Sequence, residues 1–364
     1  MGASMAKYQK VVQWIKEKIE RNELKDGDRL ESEHMLSSRF GISRQTVRHA
    51  LLVLEKEGLV EGRQGSGNYV RCAHQSGKTE KENTVILVST YVNAYIFPNI
   101  IQGIEQVLTR QGYALQIMFT YNKFATERKV LEDILQMKEV AGLIIEPTQS
   151  ALPSPNKAFY EEILERNIPV VFFHSYYENL PIPHISINDR EAGKEAARFL
   201  IENGHTEIGG IFKLEDGQGH RRFTGYVEAL LEAGLEVQDD RIVWIDTQDE
   251  RQDLKLCREK VLERMKNCTA CVCYNDSVAH GLSEICRGEG IRIPMDLSIV
   301  SIDNSQLAQL NMVPLTAMIH PMEKLGVRVA MQFLELIENP DADVTYEFPA
   351  EMVVRESVCR KKQV

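Results

Sequence analysis

No run in these 364 residues approaches the 18 or more apolar positions that a membrane-crossing helix requires. The opening residues, Met1-Gly-Ala-Ser-Met-Ala-Lys7, have no apolar core of the kind that marks an export signal. Both absences lead to the expectation of a cytoplasmic chain with no membrane partner. Cysteine is sparse too. Cys72, Cys257, Cys268, Cys271, Cys273, Cys286 and Cys359 are an odd, scattered set, unlike the dense framework of a secreted disulfide scaffold, so reduced thiols are expected. Cys268-Thr-Ala-Cys271-Val-Cys273 has no matching second cluster of Cys or His. It continues through Tyr274 as a buried-strand pattern, in which thiols serve as small apolar side chains, and no metal is expected. Missing as well are a Walker A loop, a nucleotide fingerprint after the first strand of the larger module, a His-Glu-x-x-His pair and a nucleophile elbow. The sequence therefore nominates no catalytic residue and no cofactor, although doubly wound sheets do host enzymes.

With 43 % hydrophobic residues the chain can bury two or three domains. Its net charge of −10 is unevenly spread. Residues 1–71 hold 13 Lys and Arg against 10 Asp and Glu, a net of +3, and the remainder holds 30 against 43, a net of −13. A basic module on an acidic body suits one nucleic-acid-facing domain rather than a general polyanion binder.

In the basic module, Tyr8, Val11, Val12, Ile15 and Ile19 recur at helical spacing. After a turn at Lys25–Arg29, Ser32 can cap a short helix with Met35, Leu36 and Phe40 inward. Gly41 ends that helix, and Ser43 caps the next. Val47, Ala50, Leu51 and Leu54 give the third helix one buried face. Its opposite face carries Arg44, Gln45 and Arg48 near the N-terminal end, where long donor-bearing side chains reach base edges in a major groove. An isolated polar stripe would be read as a solvated face. Here two short strands follow, joined by Arg63-Gln64-Gly65-Ser66-Gly67, whose glycines let backbone N–H groups approach phosphates. This is a winged helix-turn-helix.

Gly27-Asp-Arg-Leu-Glu-Ser-Glu33, Phe40-Gly-Ile-Ser-Arg-Gln-Thr-Val-Arg48, Leu54-Glu-Lys-Glu-Gly-Leu59 and the Gly65-Ser-Gly67 wing together resemble the GntR family of bacterial regulators over residues 7–71. The resemblance implies that Ser43 to Arg48 begin the recognition helix, that Arg44, Gln45, Thr46 and Arg48 contact double-stranded operator DNA, and that Lys7, Arg29, Glu33 and Gln64 support or extend the contact, with Arg63 and Gly65 beside them in the wing.

Residues 72–83 read as a polar linker, and 84–364 as a second module in which short apolar runs alternate with amphipathic stretches, the mark of an α/β fold with parallel sheets. Strands are expected at Val85–Ser89, Ala114–Phe119, Gly142–Ile145, Val170–Phe173, Ile208–Phe212, Ile242–Ile245, Cys271–Tyr274 and Ile299–Ile302. Helices are expected at Asn99–Arg110, Thr126–Lys138, Arg190–Asn203, Arg222–Ala233 and Met322–Glu338. Ligands in such folds bind beyond the carboxyl ends of the strands. Those ends present Tyr95, Phe97, Glu146, His174, Asn188 with Asp189, His220 with Arg222, Asn275 with Asp276, Asp303 and His320. Aromatic faces mixed with carboxylates, amides and a guanidinium suit a polyol, whose hydroxyls need both donors and acceptors.

Ile96-Phe-Pro-Asn-Ile-Ile-Gln-Gly-Ile104, Asn203-Gly-His-Thr206, Arg222-Phe-Thr-Gly-Tyr226, Cys273-Tyr-Asn-Asp276 and Ile293-Pro-Met-Asp-Leu-Ser-Ile-Val-Ser-Ile-Asp303 resemble the LacI/GalR sensor domains, which share the two-subdomain fold of periplasmic sugar-binding proteins. The match implies that Arg222, Asn275 and Asp303 hydrogen-bond the effector, with Tyr95, Phe97, His174 and His320 around it. A GntR head on a LacI body is the organisation of the arabinose repressors of Gram-positive bacteria, which Thr90–Pro98, Gly142–Thr148 and Gly210–Lys213 also resemble. That resemblance implies a homodimeric repressor released from its operator by L-arabinose. Phe173-His174-Ser175 departs from the less bulky residue expected there, so a different pentose or related sugar stays open.

Overall fold

A computed structural model describes residues 7–20, 23–25, 27–56, 59–63, 67–70, 83–91 and 95–361. The chain divides into two compact units, Met1–Thr79 and Glu80–Val364.

In the first unit, α1 (Lys7–Glu20), α2 (Glu33–Phe40) and α3 (Arg44–Lys56) precede an antiparallel hairpin of β1 (Val60–Arg63) and β2 (Gly67–Val70). Ser32 caps α2 by accepting from the Met35 N–H at 3.3 Å, and Gly41 closes the helix at φ 62°, the left-handed turn that glycine adopts without strain. Val11, Ile15, Leu36, Val47, Ala50, Leu54, Val60 and Val70 form the core. Met35 corrects the expected inner face of α2. Leu36 and Phe40, four residues apart, turn inward together, while Met35, 56 % exposed, points away. Arg29 bridges Tyr69 as a short third edge to the hairpin.

The second unit contains two lobes. The first begins β3 (Thr84–Ser89), α4 (Phe97–Arg110), β4 (Ala114–Phe119), α5 (Phe124–Gln136), β5 (Gly142–Ile145), α6 (Lys157–Glu165), β6 (Val170–Phe173) and β7 (His184–Ile187). The chain then crosses into the second lobe with α7 (Asp189–Glu202), β8 (Ile208–Lys213), α8 (Gly217–Glu232), β9 (Ile242–Ile245), α9 (Thr247–Arg251), α10 (Arg258–Met265), β10 (Ala270–Cys273), α11 (Asp276–Gly288), β11 (Ser298–Asp303), α12 (Gln306–Leu310) and β12 (Thr316–Ile319). It returns with α13 (Met322–Glu338) and β13 (Tyr346–Phe348), and crosses a third time to β14 (Met352–Val353).

The sheet orders are β13-β7-β6-β5-β3-β4 and β14-β12-β11-β10-β8-β9, parallel throughout except for β14. Helices cover both faces, so the strands are apolar on both sides. In β3, Val85 and Leu87 pack on the α4/α13 face, and Ile86 and Val88 on the α5/α6 face. In β10, Cys271 and Cys273 alternate with Ala270 and Val272 and are fully buried, so these thiols are core side chains. The six described cysteines are all free thiols.

The eight expected strands occur within one residue of their bounds. The strands that were not expected, β7, β12, β13 and β14, are short and lie toward one edge of each sheet. All three lobe crossings leave from this edge. The helices that cross are anchored by glycines where backbones touch: α7 meets α8 at Gly193 and Gly225, and α13 meets α4 at Gly326 and Gly103, with no room for a Cβ at any of the four.

Candidate functional site

The exposed face of α3 carries Ser43, Arg44, Gln45 and Arg48, with Thr46 half-buried and Val47 turned inward. Ser43 Oγ accepts from the Thr46 N–H at 3.2 Å and shares a proton with Thr46 Oγ1 at 2.8 Å, which fixes the start of the helix. Arg48 Nε donates to both Glu33 oxygens at 2.9 Å, so the first residue of α2 holds the guanidinium over the surface. Arg29 lies along Gly67 of the wing, where a Cβ would come within 3.2 Å of its Nε. Lys7 opens α1 and Arg63 ends β1. Their side chains, with Gln64 and Gly65, lie outside the described residues.

A cavity of about 550 Å³ lies between the two lobes of the second unit, beyond the carboxyl ends of both sheets. Of the candidates named from sequence, Tyr95, Phe97, Glu146, His174, Arg222, Asn275 and Asp303 line it. Three of these have left-handed backbones: Tyr95 (φ 75°), His174 (φ 65°) and Asp303 (φ 108°). A non-glycine residue there stores about 1–3 kcal/mol of strain, which persists only where the surroundings enforce it, and such residues gather at ligand clamps.

Arg222 is the electrostatic centre. Its Nε donates to Asp189 Oδ1 (2.8 Å), Nη1 to the Tyr274 carbonyl (2.5 Å) and Nη2 to Asp303 Oδ1 (3.4 Å), and the side chain is only 1 % exposed. Burial works against its charge, but Asp189 and Asp303 outweigh burial and raise its pKa. Burial raises both of those carboxyls, against the lowering pull of Arg222. Lys213 is held in the same way, 2.8 Å from Glu250 and 3.0 Å from Asp216. Burial would lower its pKa, but these two carboxylates hold it well above the ordinary lysine value. Tyr95 joins the lobes: its hydroxyl accepts from the Asp276 N–H at 2.9 Å and donates to Asp303.

Glu146 ends β5 and is buried. Ser89 Oγ, the Thr90 N–H and Thr90 Oγ1 all donate to its Oε2 (2.8, 2.6 and 2.8 Å). Burial nevertheless raises the carboxyl to about 7. His174 packs on the Phe97 ring edge at 5.4 Å, and its Nδ1 is 3.2 Å from His320 Nε2. Burial first, and then the other imidazole, drive His174 well below the ordinary histidine range. Burial and Arg222 take His320 to about 3, so both rings are neutral.

Five candidates stand elsewhere. Asn188 caps α7 by accepting from the Glu191 N–H, and Asp276 accepts from Ser301 Oγ and the Ser305 N–H. Asp189 and His320 lie behind the cavity wall, on the first and second lobe crossings, where they brace Arg222 and His174 rather than face the cavity. His220 is a correction. The helix α8 starts at Gly217, not at Arg222, and two residues along a helix turn the side chain to the opposite side. Arg222 therefore faces the cavity, while His220 is exposed, 2.7 Å from the Leu214 carbonyl and packed on Trp244.

The sequence reading also missed Lys213, Gln218, Glu250, Arg251 and Asn122, which all line the cavity. Gln218 precedes Arg222 by one helical turn, and its Nε2 donates to the His174 carbonyl at 3.2 Å. The Arg251 guanidinium sits 4.5 Å above the Tyr91 ring. No group of three or more His, Cys, Asp or Glu among the described residues converges on a metal position. No helix of the described residues is long and apolar enough to cross a membrane.

Residues 7–70 match the model for bacterial regulatory proteins of the gntR family, and residues 197–358 match a periplasmic binding protein-like domain. The chain is 33 % identical to the arabinose metabolism transcriptional repressor of Halalkalibacterium halodurans, over 98 % of this chain and 97 % of that protein. It is 34 % identical to the repressor of the same description from Geobacillus stearothermophilus, over 97 % and 98 %. The crystal structure of the transcription regulator CcpA of Lactococcus lactis superposes with a TM-score of 0.68 at 25 % identity, covering 76 % of this chain and 99 % of that one. These relatives are regulators, not enzymes. A winged helix-turn-helix head, a two-lobed body with a cavity between its lobes and this full-length similarity place the chain in the family of arabinose metabolism transcriptional repressors.

Proposed function

We infer that this repressor binds operator DNA as a homodimer in the cytoplasm and is released when the cleft takes up a neutral pentose, L-arabinose. The pairing of two of the three cleft cations carries this reading, the third, Arg251, being stacked on Tyr91. Lys213 is engaged by Asp216 and Glu250, and Arg222 by Asp189 and Asp303, so neither is left to neutralise an anionic ligand. Carboxylates on the cavity wall outnumber cations, with Glu146, Asp216, Glu250, Asp253 and Asp303 against Lys213, Arg222 and Arg251. A neutral ligand rich in hydroxyls suits this wall, because its O–H groups donate to carboxylates and its oxygens accept from Asn275, Gln218 and Arg222. Phe97, Tyr91 and Tyr95 supply faces for C–H groups.

In the head, Arg44, Gln45 and Arg48 read bases in each half-site, and Arg29 and the wing add backbone contacts. Reading two half-sites related by a two-fold axis requires two copies of the head, which is the reason for the homodimer in this reading. A thermal-shift screen tests the effector, since a ligand that binds only the folded state raises the unfolding temperature by mass action. L-arabinose should raise it, and should release a labelled operator at the same concentrations. The anionic L-arabinonate should do neither. A shift with the acid but not the aldose overturns the neutral-pentose reading.

A further inference from the structure

The lobes are joined covalently along one edge of the paired sheets, where the three crossings leave β7, β12 and β13. At the opposite edge are β4 and β9, the outermost strands of the two sheets. The loops after these strands meet. Asn122, three residues beyond β4, is only 6 % exposed, and its Nδ2 donates to two groups of the other lobe, Glu215 Oε1 (3.0 Å) and Thr247 Oγ1 (3.0 Å). Thr247 opens α9 just after β9, and its hydroxyl donates to the same Glu215.

The amide of Asn122 is also held from behind. The Gln149 N–H donates to its Oδ1 at 2.9 Å, and Gln149 Nε2 donates to its carbonyl at 2.9 Å. Tyr121 (φ 54°), Asn122 (φ 56°) and Gln149 (φ 45°) all have left-handed backbones, so two strained loops are spent on aiming one side chain across the cleft. Two bonds donated by backbone N–H groups cross beside it: the Ala151 N–H donates to the Glu215 carbonyl (3.1 Å), and the Gly217 N–H to the Ser150 side-chain Oγ (2.9 Å).

The geometry points to Asn122 as a clasp: a positioning residue that fastens the lobes at the edge remote from the hinge and biases the cleft toward its closed form. A contact at the far end of a hinged body moves most on opening, so it contributes fully when closed and nothing when open. Its strength sets the fraction of closed cleft, and an effector that binds the closed form is weakened in proportion as that fraction falls. This last consequence rests on the cleft being the effector site; the clasp itself does not.

Amide hydrogen exchange of the full-length protein in sugar-free buffer tests it. The Ala151 and Gly217 amides bond across the cleft. The Glu146 and Tyr274 amides bond within their own lobes and serve as references. Asn122→Ala should lower protection at Ala151 and Gly217 by about fivefold, the scale of one or two hydrogen bonds, and leave the references unchanged. Thr247→Val removes an acceptor from the other lobe without touching the Gln149 bonds, and should act in the same direction. Asn122 and Thr247 also line the cavity, so exchange in sugar-free buffer, and not the L-arabinose concentration for operator release, decides the clasp. Unchanged protection at Ala151 and Gly217 in both variants overturns the clasp, as does an equal loss at the reference amides. If protection falls as expected while no pentose binds the parent, the clasp stands and the effector assignment fails.

Discussion

Replacing Arg222 with methionine tests the electrostatic centre of the cleft in a way that ligand binding alone does not. The guanidinium is 1 % exposed and bonds to two buried carboxylates, Asp189 at 2.8 Å and Asp303 at 3.4 Å. Methionine fills much of the volume but leaves both carboxyls without a counter-charge. Removing one partner of a buried ion pair costs about 3–5 kcal/mol. For a body of this size that is about 10 °C in Tm. The pH dependence gives a sharper signature. Burial already raises both carboxyls against the pull of Arg222, and its loss raises them further. A carboxyl whose folded pKa lies above its unfolded value of about 3.9 binds more protons folded than unfolded in the interval between the two. Stability in that interval rises as pH falls. The deficit of Arg222→Met should therefore be largest at pH 8 and partly recovered at pH 5.5. Beyond burial, Arg222 also depresses His174 and His320, so its loss lets both imidazoles rise toward their ordinary range, which lessens their penalty at low pH and adds to the recovery at pH 5.5. Trp14 lies in the head and Trp244 in the body, so urea unfolding followed by fluorescence in a Trp14→Phe background reports the body alone. A variant within about 1 kcal/mol of the parent at pH 8, or one with the same deficit at both pH values, would refute the reasoning: desolvation of the three charges would then cancel their attraction.

Glu146→Gln should raise Tm at pH 8 and flatten its decline between about pH 4.5 and 7, because a carboxyl raised from 4.5 to about 7 binds more protons folded than unfolded in that interval. Asp276, also raised to about 7, should leave a residual slope in a thermal titration of the variant. Arg48→Ala should weaken operator binding by about 1–3 kcal/mol at fixed salt in a gel-shift titration, and equal affinity for the parent's site would remove Arg48 from the reading surface. Gly193→Ala places a Cβ 2.0 Å from the Arg222 carbonyl oxygen and should destabilise the body by about 3 kcal/mol in urea, whereas Gly288→Ala, at the open end of α11, should be neutral or stabilising by less than about 1 kcal/mol.

Much of the cleft was legible because a parallel sheet covered on both faces writes its strands as apolar runs, and the residue that ends such a run stands at the ligand side. That rule reached Tyr95, Phe97, Glu146, His174, Asn275 and Asp303. It failed where a polar residue is buried by partners distant in sequence. Lys213 is the last residue of β8, yet a lysine reads as the end of a strand rather than as part of it. Only Asp216, three residues further along the chain, and Glu250, on α9, make its burial tolerable. The misplacement of His220 has a comparable origin. Gly217 and Gly219 discourage a helix by propensity, so the sequence reading starts α8 late. Gly219 is there because a Cβ would sit 2.0 Å from the Lys213 carbonyl oxygen: the helix start is pressed against the end of β8, and packing overrides propensity.

Asp189 and His320 needed knowledge that no local pattern carries, namely that the chain changes lobe beside each of them. A strand end at a crossing is a hinge, and a polar residue there holds the groups of the cleft instead of joining them. Asp189 fixes Arg222, and His320 fixes His174, each from a segment that must bend when the lobes part. Asn122 and Thr247 grip the same two lobes from the far edge. The cavity is thus bounded at one end by the bonds beside the lobe crossings and at the other by those of Asn122 and Thr247. On the proposed sugar reading, a ligand that shifts the lobes must interact differently with their open and closed arrangements, which favours one that touches both lobes.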